Sequence, residues 1–127
     1  LAVGDRVVGI CAALRPEKAH LHLLEAVAMQ HRQGHPWKLL IIGDGAMRGE
    51  IEARMRDLGL EAHVRLPGAL ADVRPAVLAC DVMALPSVAV ETFSISALES
   101  MALGKPMVMS DTGGAREQVI DGRNGYV

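Results

Sequence analysis

Glu91 and Glu99 stand eight positions apart in "VETFSISALES", a stretch with no other charge, where a loop turns into a helix. A helix that begins near Ser94 points its unpaired first-turn N–H groups outward and offers an anion site. With a diphosphate on those amides, Glu99, one to two turns into the helix, is placed to accept hydrogen bonds from sugar hydroxyls. Glu91, ahead of the helix, faces whatever the diphosphate carries. A purely structural reading fits the same residues. Ser96-Ala97-Leu98-Glu99 has the spacing of a capping box, with Glu99 reaching back to the Ser96 amide, and Glu91 is then a solvated loop carboxylate. Local chemistry leaves both readings open.

Other candidates fall after apolar runs. Lys18 follows the first run, a mobile cation suited to phosphate. "GDGAMRG" (43–49) follows the second, and its glycines, Gly43 first, let a backbone approach a ligand closely. It is not a dinucleotide fingerprint, because its third glycine comes one position late and it follows the wrong run. No glycine-rich loop continues into Gly-Lys-Ser/Thr, which excludes a P-loop nucleotidase. His31 and His35 have a metal-binding spacing, but Gly34 and Pro36 break the helix such a site needs. They read, with His20 and His22, as exposed polar histidines, and no metal site is expected. Asp44 and Asp111 are too isolated to form a carboxylate pair.

The elements that must position these groups alternate. "RVVGICAAL" (6–14) is a β-branched apolar run, the mark of a strand buried on both faces. A helix follows over 18–32, with Leu21, Leu24 and Ala28 on one face. Strands are expected at 6–14, 38–43, 63–66, 81–86, 106–110 and 125–127. Further helices are expected near 47–58, 71–79, 94–103 and 114–120. Such alternation with short joints predicts a doubly wound, Rossmann-like parallel sheet of about six strands in three α/β/α layers. Ligands of such sheets sit outside the carboxyl ends of the strands, which puts all the candidate loops on one edge.

Composition agrees. The chain has 127 residues, one domain by length, and half are apolar. Trp37, Phe93 and Tyr126 are its aromatics, so the core is aliphatic, and the seven methionines read as packing. A formal charge of −2 with no basic stripe argues against a nucleic-acid partner. Cys11 and Cys80 read as buried free thiols of a reducing compartment. The first and last residues both read as strand, so a longer parent protein is expected.

"LRPEK", "IIGDG", "DVMALPS", "ETFSISALESMALGKP", "SDTGGAREQV" and "DGRNGYV" resemble, in order and over residues 7–127, the blocks of the C-terminal, donor-binding half of retaining GT-B glycosyltransferases of family 4. The glutamate–seven–glutamate spacing is that family's hallmark. The resemblance implies that Lys18 holds the donor diphosphate and that the amides of Phe93, Ser94 and Ile95 cradle phosphate. It makes Glu91 the catalytic-site residue, touching hydroxyls of the transferred sugar and stabilising charge near its anomeric carbon. It gives the ribose hydroxyls to Glu99 and lays the "LPG" turn, with Pro67, along the base. Gly113 and Gly114 would shape the last loop. One departure stands out: the family's usual arginine position is Ala13 here, and Arg15 is the nearest replacement.

The function so implied is transfer of a sugar, of hexosyltransferase type, from a nucleoside-diphosphate sugar to an acceptor sugar, lipid or glycan. No metal or separate cofactor is needed, since cations and helix amides neutralise the leaving group. The acceptor domain would be an N-terminal half of the same chain, and residues 1–127 alone would be inactive. A cytoplasmic location is expected, with contact to the inner membrane face through the missing half left open. A stand-alone nucleotide-binding module and a GT-B-like sugar-nucleotide epimerase are the alternatives.

Overall fold

The computed structural model describes residues 1–89, 91 and 93–127. Its six strands are β1 (Val7–Cys11), β2 (Lys38–Ile42), β3 (Val64–Gly68), β4 (Val82–Leu85), β5 (Met107–Met109) and β6 (Gly125–Tyr126). They form one sheet in the order β3-β2-β1-β4-β5-β6, and every adjacent pair is parallel. The helices are α1 (His20–Arg32), α2 (Arg48–Asp57), α3 (Arg74–Leu78), α4 (Ile95–Ala102) and α5 (Ala115–Gln118), with a 3-10 turn over Pro16–Lys18. This is the expected doubly wound α/β fold. β1 is shorter than expected: beyond Cys11 the amides of Ala12 and Leu14 still bond to Ile42 and Asp44, but the chain bends into the turn.

The side-chain alternation of a strand divides the core into two layers. Leu39 and Ile41 of β2 pack with Ile10 of β1 beneath Leu24, Val27 and Ala28 of α1 and Ile51 of α2. Leu40 and Ile42 point the other way. They join Met83, Leu85, Met107 and Met109 beneath Val77 of α3, Ala97 of α4 and Ala115 of α5. The first helical layer therefore spans β1 to β3 only. Val108 and Tyr126 stay exposed, and with Val8 and Val82 the former lines an open apolar groove beside α1.

Two sequence expectations change here. The buried stripe of α1 is His20, Leu24, Val27 and Ala28, the i, i+4, i+7, i+8 pattern, and Leu21 is only half-buried. His20 is thus in phase with the core and 2% exposed, whereas His22 and His35 are exposed as read. Among the methionines, Met83, Met107 and Met109 are core, but Met29 lies on the exposed side of α1.

Gly43 joins β2 to its loop with φ 141°, and a Cβ there would stand 2.0 Å from the Ala12 carbonyl oxygen. No side chain fits against that backbone. We expect Gly43→Ala to cost at least about 3 kcal/mol, from the disfavoured φ and displacement of the β1 loop. Gly59→Ala is the control: its φ is 67°, but nothing lies within 4 Å of the added carbon, so about 1 kcal/mol is expected. Urea denaturation of both variants measures the difference.

Candidate functional site

At the β1/β4 junction the chain diverges. After β1 it turns toward β2, and after β4 toward β5, so a crevice opens between the two loops at the carboxyl edge. The 3-10 turn lies on one side of it. Pro16 starts that turn, and Ala19 ends it at φ 55°, the left-handed region that alanine rarely takes. The sharp corner turns Lys18 inward. Across the crevice, the Val88 amide donates to the Glu17 carbonyl at 2.9 Å.

Lys18 is not the mobile cation expected. Its ammonium donates to Oε1 of Glu91, and the two side chains are only 23% and 19% exposed. The Ser87 hydroxyl donates to the same oxygen at 2.9 Å. Burial pushes the Glu91 pKa up, but the hydrogen bonds from Lys18 and Ser87 and the Lys18 charge outweigh it and leave it below its ordinary value. Glu91 is therefore an ionised, anchored carboxylate, and the solvated-loop reading is set aside. Its backbone carbonyl accepts from the Gly114 amide at 3.3 Å, so the Gly113–Gly114 loop helps hold it. His20, next to Lys18, has both ring nitrogens buried without a partner among the described residues. Burial first, then the Lys18 charge, lower its pKa and keep the ring neutral.

The capping box is replaced by another cap. Ser94, not Ser96, is the N-cap of α4, and its hydroxyl accepts from the Ala97 amide at 3.2 Å. Glu99 is then the fifth helical residue, past the third position from which a side chain reaches back. It is exposed, and it lines a cavity of about 500 Å³ with Cys11, Val73, Arg74 and Ser96. Burial first, then the charge of Glu99 across the same cavity, raise the Cys11 pKa. Cys11 is thus a half-buried groove residue, while Cys80 is buried in the core with its thiol raised to about 11. Asp72 and Arg74 form an exposed bidentate pair at the cavity's rim, at 2.8 and 2.9 Å.

The other predicted residues are spread along this edge. The Ser94 amide already faces the Gln118 side-chain oxygen at 3.4 Å, while the Gln118 amide group donates to the Ser94 carbonyl at 3.0 Å. Among the described residues, the first-turn amides of Ile95 and Ser96 have no acceptor. Phe93, just before the N-cap of α4, is 47% exposed. The Gly43 amide is spent on the Gly68 carbonyl at 2.9 Å, and its missing side chain admits the β1 loop, although Gly43 still lines a shallow extension of the groove with Ala13 and Leu70. Pro67 is exposed on β3. Arg15 is exposed, with its guanidinium 4.0 Å from Glu17.

Sequence reading missed Ser87, Gln118 and Cys11. Ser87 and Gln118 are buried polar groups whose partners are set by the fold. Cys11 carried one signal, its place at the carboxyl end of a strand beside the crevice.

Over residues 1–127 the chain matches the family model described as glycosyl transferases group 1. It is 35% identical over 118 residues to 2-deoxystreptamine glucosyltransferase of Streptomyces kanamyceticus, covering 91% of this chain and 30% of that one. It is also 35% identical over 134 residues to the GDP-mannose-dependent alpha-(1-6)-phosphatidylinositol monomannoside mannosyltransferase of Mycolicibacterium smegmatis, covering 98% and 35%. Among solved structures, Anabaena HepE in complex with UDP and glucose superposes with a TM-score of 0.87 at 34% identity, over 96% of this chain and 34% of that one. The same protein has been solved with UDP-glucose. The chain thus spans about a third of the length of these relatives. On the family match over its whole length, with the fold it shares, this chain belongs to the glycosyl transferases group 1 family.

Proposed function

We propose that this chain is the donor-binding, C-terminal half of a retaining GT-B glycosyltransferase, which moves a sugar from a nucleoside-diphosphate sugar to an acceptor held by another domain of the same chain. The observation that carries this reading is the Lys18–Glu91 pair across the crevice, with Glu99 exposed on α4 and lining the cavity beside Cys11. A cation, open helix amides and two separated carboxylates suit a ligand with a charged middle and hydroxyls at both ends. Support comes also from HepE, which binds UDP and UDP-glucose.

In this reading Lys18 and the amides of Ile95 and Ser96 stabilise the charge that grows on the leaving diphosphate. Glu91 accepts hydrogen bonds from the transferred sugar and lies beside the anomeric carbon. Glu99 accepts from the ribose, Phe93 and Gly43 border the diphosphate, and Pro67 lies toward the base. Arg15 has room to turn in from its exposed position. Because Lys18 is already paired, an incoming diphosphate competes with Glu91 for it. We therefore expect weak binding, about 0.1–1 mM for UDP, and no sugar transfer by residues 1–127. The alternatives separate cleanly: a binding module would hold UDP without gaining from the sugar, and an epimerase would interconvert free UDP-sugars.

Three outcomes test the reading. Glu99→Gln keeps shape and removes charge, so UDP affinity should fall about tenfold or more by NMR titration, with the melting temperature unchanged. Equal affinity would return Glu99 to a solvated surface role. Lys18→Ala should abolish UDP binding, whereas EDTA should leave wild-type binding intact; a strict magnesium requirement would count against the assignment. The third outcome concerns pH. Because the folded Glu91 pKa is lowered from 4.5, its contribution to stability is full above about that pH and is lost as pH falls through the lower folded value. The stability gap between wild type and Glu91→Gln should therefore be constant near neutrality and close below pH 4.5 in urea titrations.

A further inference from the structure

Ser87 lies two residues past the end of β4, is 2% exposed, and gives its hydroxyl proton to Oε1 of Glu91 at 2.9 Å. The Lys18 ammonium donates to that same oxygen. Two donors therefore converge on one oxygen of the carboxylate, and its other oxygen, Oε2, is bound by neither of them. The donors differ in what a ligand does to them. Lys18 sits at the end of a long flexible stem and follows an anion that enters the crevice. Ser87 has one rotatable bond, is closed in on all sides, and stays.

We propose that Ser87 is a positioning residue: it holds the Glu91 carboxylate in place when an anionic donor draws Lys18 away, so that Oε2 continues to face the donor's sugar. This rests on the donor-site reading above and adds to it a residue that touches neither phosphate nor sugar. Among the described residues, the groups bonded to Glu91 are Lys18 from the 3-10 turn, Ser87 from the loop after β4, and the Gly114 amide, on its backbone oxygen, from the loop after β5. Once Lys18 turns to the ligand, the Ser87 hydroxyl is the remaining side-chain donor among them. A half-buried carboxylate that has lost its counter-charge takes up a proton more readily, and a buried donor opposes that.

The test titrates UDP and UDP-glucose separately into the wild-type chain and into Ser87→Ala, Ser87→Cys and Glu91→Gln. The Glu91 carboxyl carbon is followed by NMR across pH, with its resonance assigned by its absence from Glu91→Gln. In Ser87→Ala the ratio of UDP-glucose to UDP affinity should fall about tenfold, the loss of one hydrogen bond to a charged group, and Glu91 should titrate at higher pH than in the wild type. Ser87→Cys keeps most of the volume with a poor donor, so it should behave like Ser87→Ala if donation is what counts. A serine that only fills space would lower both affinities together, or neither, and leave the Glu91 midpoint where it was; that result overturns the proposal. If Glu91→Gln binds UDP-glucose as well as the wild type does, the donor-site reading fails with it. If Glu91→Gln is weakened while both Ser87 variants keep the wild-type ratio, the role of Ser87 alone is wrong.

Discussion

The site depends on one topological constraint. A parallel sheet whose chain runs outward from β1 in one direction and from β4 in the other must part its loops between those strands. The parting leaves two loops, distant in sequence, facing each other without sheet hydrogen bonds to join them. Among the described residues they are tied by the Val88 amide on Glu17 and by Lys18 on Glu91, over 73 positions of sequence separation for the latter. The glycines after β2 serve the same edge from behind, because Gly43 lets the β1 loop lie directly on the β2 loop.

The pair also sets the electrostatics. A lysine paired with a carboxylate is close to neutral as a unit, so within the pair each charge offsets the other. The short dipole of α4 adds partial positive charge where, among the described residues, the amides of Ile95 and Ser96 have no acceptor. Gln118 then fixes the direction of that helix by bonding to both the amide and the carbonyl of Ser94. It reaches there from α5, so the last helix of the chain sets the aim of the first turn of α4.

Much of the fold was legible because buried parallel strands are written as local apolar runs, and each of the six expected strands appears at its place with ends shifted by a few residues. Positions on the carboxyl edge followed from the same alternation. Interactions between distant segments were not legible. Nothing in the spacing of Lys18 and Glu91 says that they pair. Ser96-Ala97-Leu98-Glu99 has the letters of a capping box, but the chain turns helical at Ile95, and a one-residue question of where a helix starts decides which serine caps it. The burial of His20 is a similar matter of phase: starting α1 at residue 20 puts that ring in line with Leu24, Val27 and Ala28.

Pro67 has a second consequence apart from any base it borders. It sits on β3, the outermost strand of the sheet, where a proline has no N–H to lend to a strand from another molecule. Arg65, exposed two residues earlier, puts charge on the same margin. The β2–β3 register also slips between Leu40 and Ile42, which disturbs the flat ladder an added strand would copy. At that flank the sheet's own chemistry disfavours a further strand, so the loops at its carboxyl edge can stay apart without the sheet extending sideways into an aggregate.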